Sequence, residues 1–198
     1  MTTTPDTLRT EMEVEWNEVC ARLRELLANA SDSDLRSPSR GTRWTNEELL
    51  WHMVFGYLVV RALLGVVRFF DALPPGASEA YAAALNRGTK PFDAVNYWGS
   101  RAGAIVFNRR RMAAQLERVI ASLQRRLDDA DARTLAKGMH FPTLWDPFFR
   151  DYMTLEDLYR YPTQHFNFHQ EQLALSANGT PRPAREGRAR RPARTLRR

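Results

Sequence analysis

Apolar residues return every third or fourth position through four long stretches of this sequence, and nowhere does a clear alternation in twos stand out. The first period places side chains along one face of an α-helix, whereas a half-buried strand needs a period of two. Leu8, Met12, Trp16, Val19, Leu23 and Leu26 form the first stripe, over about 7–29, and the turn-forming run 31–41 closes it. A second helix opens at Thr45, an N-cap with Glu48 at capping-box spacing, and carries Leu49, Met53, Gly56, Val60, Leu63 and Val67 toward Asp71. Two prolines and a glycine in 73–78 end it. A third helix is expected over about 91–128, with its stripe on Trp98, Ala102, Ile105, Met112, Leu116, Val119, Leu123 and Leu127. The fourth starts at Thr154, with Asp157 in the capping position, and is expected to end near 174–177.

Four such helices predict an all-α four-helix bundle. The connectors 74–91, with a short helix in SEAYAAAL, and 129–153 are longer than a plain up-down bundle needs. They predict long crossover connections that cover an end of the bundle. At 198 residues one domain is expected, over 1–176. The remainder, 177–198, is expected to be a disordered Arg-rich tail.

Charge is distributed unevenly. The chain carries +6, but residues 181–198 hold eight Arg against one Glu, so 1–180 sums to about −1. The bundle is therefore not a basic protein. A weak, salt-sensitive nucleic-acid contact belongs to the tail, if anywhere, and a specific one is not expected. Cys20 is the only cysteine, which excludes an internal disulfide and fits a reducing cytoplasm. The first sixteen residues show neither the basic nor the apolar segment of a secretion signal. The most apolar run, 49–70, contains His52, Arg61 and Arg68, so it reads as a core helix rather than a membrane span.

Two of the four histidines, His165 and His169, stand four residues apart in YPTQHFNFHQEQL. On a helix that spacing puts both rings on one face, about 5–6 Å apart at Cβ, within reach of one ion. Neutral imidazole is a ligand for zinc and other divalent first-row metals, and no Glu follows His165 as it would in a zinc protease. A third ligand is expected from His52, in line with Gly56, Val59 and Leu63 on an inward face of the second helix. Pro162 lies inside the fourth helix, removes the hydrogen bond to Leu158 and is expected to kink the chain before His165. His140 reads either as an ordinary loop histidine or as an acid/base over the site. Other readings of the same residues are three satisfied core histidines with no metal, or a metal-binding bundle with no catalysis that serves a partner.

GTRWTNEELLWHM and HFNFHQEQL, with WDPFF before a Met-Thr helix start, resemble the DinB-like superfamily over about 8–176. The resemblance implies a crossover four-helix bundle, a site formed by His52, His165 and His169 for zinc or nickel, and a thiol-dependent transferase or isomerase. The implied cofactor is mycothiol or another low-molecular-weight thiol, and the partner a small-molecule substrate. The extra C-terminal domain of the maleylpyruvate isomerases in that superfamily is not expected here, so their particular substrate is not implied. An open metal position suits either a thiol, activated as thiolate, or water, activated for hydrolysis. Water activation wants a general base, and only Glu48 and Asp146 are candidates, which favours the thiol route. Arg109 and Arg101 flank the third helix's stripe and are candidate cofactor-binding residues. Trp44, Trp51, Trp145 and Phe148 are candidate pocket walls. A homodimer is compatible with the sequence but not specified by it.

Overall fold

The computed structural model describes residues 4–74 and 76–176, so the expected Arg-rich tail lies outside the described residues. Helix α1 spans Pro5–Asn29, and α2 spans Asp32–Arg36. Then come α3 (Asn46–Asp71), α4 (Ala77–Arg87), α5 (Thr89–Val106) and α6 (Met112–Asp128). The remainder is α7 (Ala132–Leu135), β1 (Gly138–His140), β2 (Tyr152–Thr154) and α8 (Leu155–Gln170). Helices α1, α3, α6 and α8 are the bundle, with α3 packed on both α6 and α8.

The capping residues set where these helices begin. Thr45 Oγ1 accepts from the Glu48 N–H while Glu48 returns a bond to the Thr45 N–H, and Thr154 and Asp157 do the same for α8. Each stripe then falls inward: Leu8, Met12, Trp16 and Leu23 on α1 are nearly inaccessible, as are Leu116, Val119 and Leu123 on α6. Each such side chain contributes roughly 1.5–3 kcal/mol. Leu26 is only half-buried, and its neighbour Leu27 takes the inward place. Cys20 is a core residue whose thiol burial pushes up to about 11.

The third helix differs from expectation. It is two helices, broken at Phe107–Arg111, and Trp98 and Ile105 are 61% and 80% exposed. What α5 turns to α3 is small: Ser100 and Ala104 are buried, and a Cβ on Gly103 would stand 1.9 Å from Trp51 Nε1. Close approach of the Trp51 ring to the bare α5 backbone at Gly103, not interlocking of large side chains, seats α5. At the start of the break, Phe107 stacks on Trp51 at 4.5 Å between ring centres.

The second connector also holds strand structure that sequence periodicity did not indicate. β1 and β2 pair antiparallel, Gly138 opposite Thr154 and His140 opposite Tyr152. This clip leads the chain into α8 and closes the loop between the strands. Trp145 in that loop donates Nε1–H to the Leu85 carbonyl (2.9 Å) and stacks on Phe92. The connector therefore lies over one end of the bundle, against α4 and α5. Helix α8 runs without a break through Pro162 and ends at Gln170, earlier than expected.

By composition α3 is long and apolar enough to cross a membrane, with mean hydropathy 1.9 in its most apolar window. Its position is central to the bundle, packed by α5, α6 and α8.

Candidate metal centre

α3 and α8 meet with His52, His165 and His169 facing one another. Ring centres are 4.9 Å apart for His52–His165, 4.8 Å for His52–His169 and 4.5 Å for His165–His169. One nitrogen from each lies within 4.8 Å of the other two. Helix phase produces this: the two capping boxes fix the first turns, and the i, i+4 pair on α8 then faces His52 across the α3·α8 contact. Asn46, fully buried at the head of α3, ties the segment after α8 to it through Ala174, accepting its N–H at 2.9 Å. Sequence reading missed that clamp.

Two rings are oriented by partners that the sequence reading also missed. Ser100 Oγ sits 3.1 Å from His52 Nδ1, and Gln172 Oε1 sits 2.7 Å from His169 Nδ1. Both rings thereby keep Nε2 free. His165 is only 3% exposed, and its Nδ1 has no hydrogen-bond partner among the described residues. A buried, unpaired ring nitrogen costs about 1–3 kcal/mol. Gly56 makes room for this ring, because a Cβ there would come within 2.9 Å of His165 Nδ1.

Burial lowers the pKa of His52 to about 3 and that of His165 well below its ordinary value, with the neighbouring imidazoles adding to both. His169 is lowered by burial as well, against the opposing pull of Gln172 and Asp146. All three rings are thus neutral near pH 7, the form that ligates a metal. Three neutral imidazoles with an orphaned nitrogen, and a glycine where a side chain would intrude, fit a divalent cation.

Asp146 reaches the cluster from the loop. Its Oδ2 lies 3.8 Å from His165 Nε2 and accepts the Tyr161 hydroxyl at 2.9 Å, while Oδ1 accepts the Phe148 N–H. With His165 neutral this is proximity, not an ion pair. Burial raises the Asp146 pKa first of all, and the Tyr161 hydroxyl is held well above its usual value by burial and by that carboxylate. Glu48 is occupied elsewhere, by its cap and by Arg101 Nε at 3.0 Å.

The remaining expectations fare unevenly. Arg101 lies over the Trp98 and Tyr97 rings, at the side of an open groove that includes Trp44, Tyr97, Trp98 and His169. Arg109 falls in the α5–α6 break, where its guanidinium meets Asp32 at 3.1 Å and its N–H meets Glu47. The structure does not bring it to the histidines, since the facing angle assigned to it assumed a continuous helix. His140 is also outside the cluster, 3.1 Å from Asp151. Trp44 stacks on His52 at 4.4 Å, Trp51 is core, Phe148 packs against Phe168, and Trp145 lines a cavity.

That cavity encloses about 280 Å³ and opens from His52, His165 and Asp146 along α3. The histidines thus have two approaches, the cavity beside His52 and His165 and the polar groove beside His169.

Fold and site together define a helical bundle whose central helices gather three histidines from its second and last long segments. The chain belongs to the DinB superfamily, whose family model matches residues 15–173. No curated protein and no solved structure matches it.

Proposed function

We propose that this chain is a cytoplasmic, divalent-metal-dependent enzyme acting on a small molecule, with zinc or nickel held by His52, His165 and His169. The observation that carries the reading is the convergence of three neutral imidazoles within 4.8 Å, two of them buried and one of these with an unpartnered nitrogen. A bound divalent ion supplies Lewis acidity, lowering the pKa of a thiol or water brought to it. The finer reading is a thiol S-transferase or isomerase using mycothiol or a similar low-molecular-weight thiol.

The chain's own groups divide the remaining work. Ser100 and Gln172 hold two imidazoles in orientation. Arg43 and Lys90 line the groove beside His169, and Arg101 flanks its Tyr97 and Trp98, an arrangement suited to the polar parts of a hydrophilic thiol. Asp146 can take the proton that such a nucleophile releases, with Tyr161 steadying its Oδ2.

Asp146 also favours a second reading, hydrolysis by activated water, because a carboxylate near the ligands is the base that chemistry requires. Elemental analysis of the wild type beside His52→Ala, His165→Ala and His169→Ala tests the metal site, and equal metal content in all four proteins would overturn it. Conjugation of a generic electrophile, with and without mycothiol, compared with thiol-free ester hydrolysis, then separates transferase from hydrolase. Activity in neither assay leaves the non-catalytic metal-binding bundle.

A further inference from the structure

Helix α3 has two apolar faces. One packs the core. The other, Phe55, Val59, Leu63 and Val66, recurs at spacings of four, four and three, yet these side chains are only half-buried. They are neither core nor solvated surface; they line the cavity that begins at His52 and His165. Phe92, stacked on Trp145 at 3.9 Å, stands opposite, and Tyr81 is among the side chains away from the histidines. Asp146 is the single Asp, Glu, Lys or Arg on the lining, and it lies at the histidine end.

We infer that this cavity holds the hydrocarbon body of the substrate, an uncharged, single-tailed molecule with its reacting polar group at the histidine end. The inference rests on the metal-site reading only for what happens at that end. A desolvated charge along the wall would meet no partner, which excludes ionic tails. Apolar walls of this kind favour apolar ligands, whose hydrocarbon surface leaves water on binding. From Gly56 to Val66 the helix advances about 15 Å at ~1.5 Å per residue, matching an extended chain. At ~30 Å³ for each water-sized group, 280 Å³ holds on the order of ten carbons. A peptide helix, about 10–12 Å across with its side chains, does not fit.

Gly99 provides the means of testing. It lines the cavity on its exposed side, and a Cβ there would meet nothing within 4 Å, so a larger side chain is accommodated at the opening without striking the wall. Gly65 has equally open surroundings but is not on the lining, and serves as the control.

Binding of the n-alkanols from butan-1-ol to dodecan-1-ol, followed by tryptophan fluorescence on metal-loaded and metal-stripped protein, is the experiment. Wild type should bind about fourfold more tightly for each added methylene, until the gain stops near ten carbons. Gly99→Phe should move the stop to a shorter chain, and Gly65→Phe should leave it in place. If Gly99→Phe fails to fold, Val66→Trp on the α3 lining should shorten the limit in the same way. Affinity that ignores chain length, or that climbs equally through dodecanol in every variant, overturns the proposal. A chain-length limit in protein shown by elemental analysis to bind no metal would sink the metal reading while the cavity inference stands.

Discussion

His165 has no hydrogen bond at Nδ1, and the space for its ring exists because position 56 lacks a side chain. Gly56→Ala brings a Cβ to 2.9 Å from that nitrogen, so the ring must shift. Ala gains roughly 0.5–1 kcal/mol of helix propensity over Gly, which offsets part of an overpacking cost of about 1–3 kcal/mol. Metal affinity should fall at least tenfold while the urea midpoint moves little; a chelator-competition titration beside a denaturation curve separates the two. Ser100→Ala removes the partner of His52 Nδ1 and should weaken metal binding by about 10–100-fold, as losses of ligand-orienting groups do. Unchanged affinity in that variant would mean the hydroxyl does not orient the ring. The same histidines predict a pH dependence in the metal-free protein. Unfolded, each ring takes a proton near pH 6.5, but folded His52 does so only near 3. Between those values the unfolded state binds more protons, so stability falls as pH drops from about 6.5 toward 3. Urea midpoints from pH 7 to 5, above the range of most carboxylates, should decline more steeply for wild type than for His52→Gln.

Helix boundaries decide which residues face the site, and they were legible wherever chemistry marks them. Thr45 with Glu48 and Thr154 with Asp157 form the expected boxes, which is why the ring of His52 meets those of His165 and His169 as the sequence implied. Thr45→Ala should cost about 1 kcal/mol through the lost cap. Metal stoichiometry should be retained, since ten buried positions of α3 beyond its first turn still hold the helix in place; urea denaturation with metal analysis reads both. The boundary inside the expected third helix was not legible, because an apolar stripe was sought and α5 packs by absence of bulk. Ser100, Gly103 and Ala104 carry no hydrophobic signal, while exposed Trp98 and Ile105 carry a strong one. Arg109 was misplaced for the same reason. The β1–β2 clip spans three residues a side, too few for a period to emerge, yet it closes the loop that brings Asp146 to the histidines. A carboxylate positioned by loop closure leaves little trace in linear spacing.

At the scale of the molecule, the centre joins helices that are adjacent in the bundle, through histidines more than a hundred residues apart in the chain. A cation shared by α3 and α8 binds only the folded state, since the unfolded chain does not hold the three imidazoles together. Folding and metal occupancy are therefore linked: at a free concentration of 100 times Kd an ion adds about 2.7 kcal/mol. For a domain of this size that corresponds to a rise in Tm of roughly 5–10 °C. Thermal melts of metal-loaded wild type with and without excess chelator should differ by that amount. His165→Ala, which loses a ligand and also leaves a cavity beside Gly56, should melt lower and respond little to chelator. The two effects are distinct, because a purely structural histidine would lower Tm in the variant yet leave the chelator response intact. If the response survives in His165→Ala, the ion that stabilises this bundle is bound elsewhere, and the junction of α3 and α8 is held by packing alone.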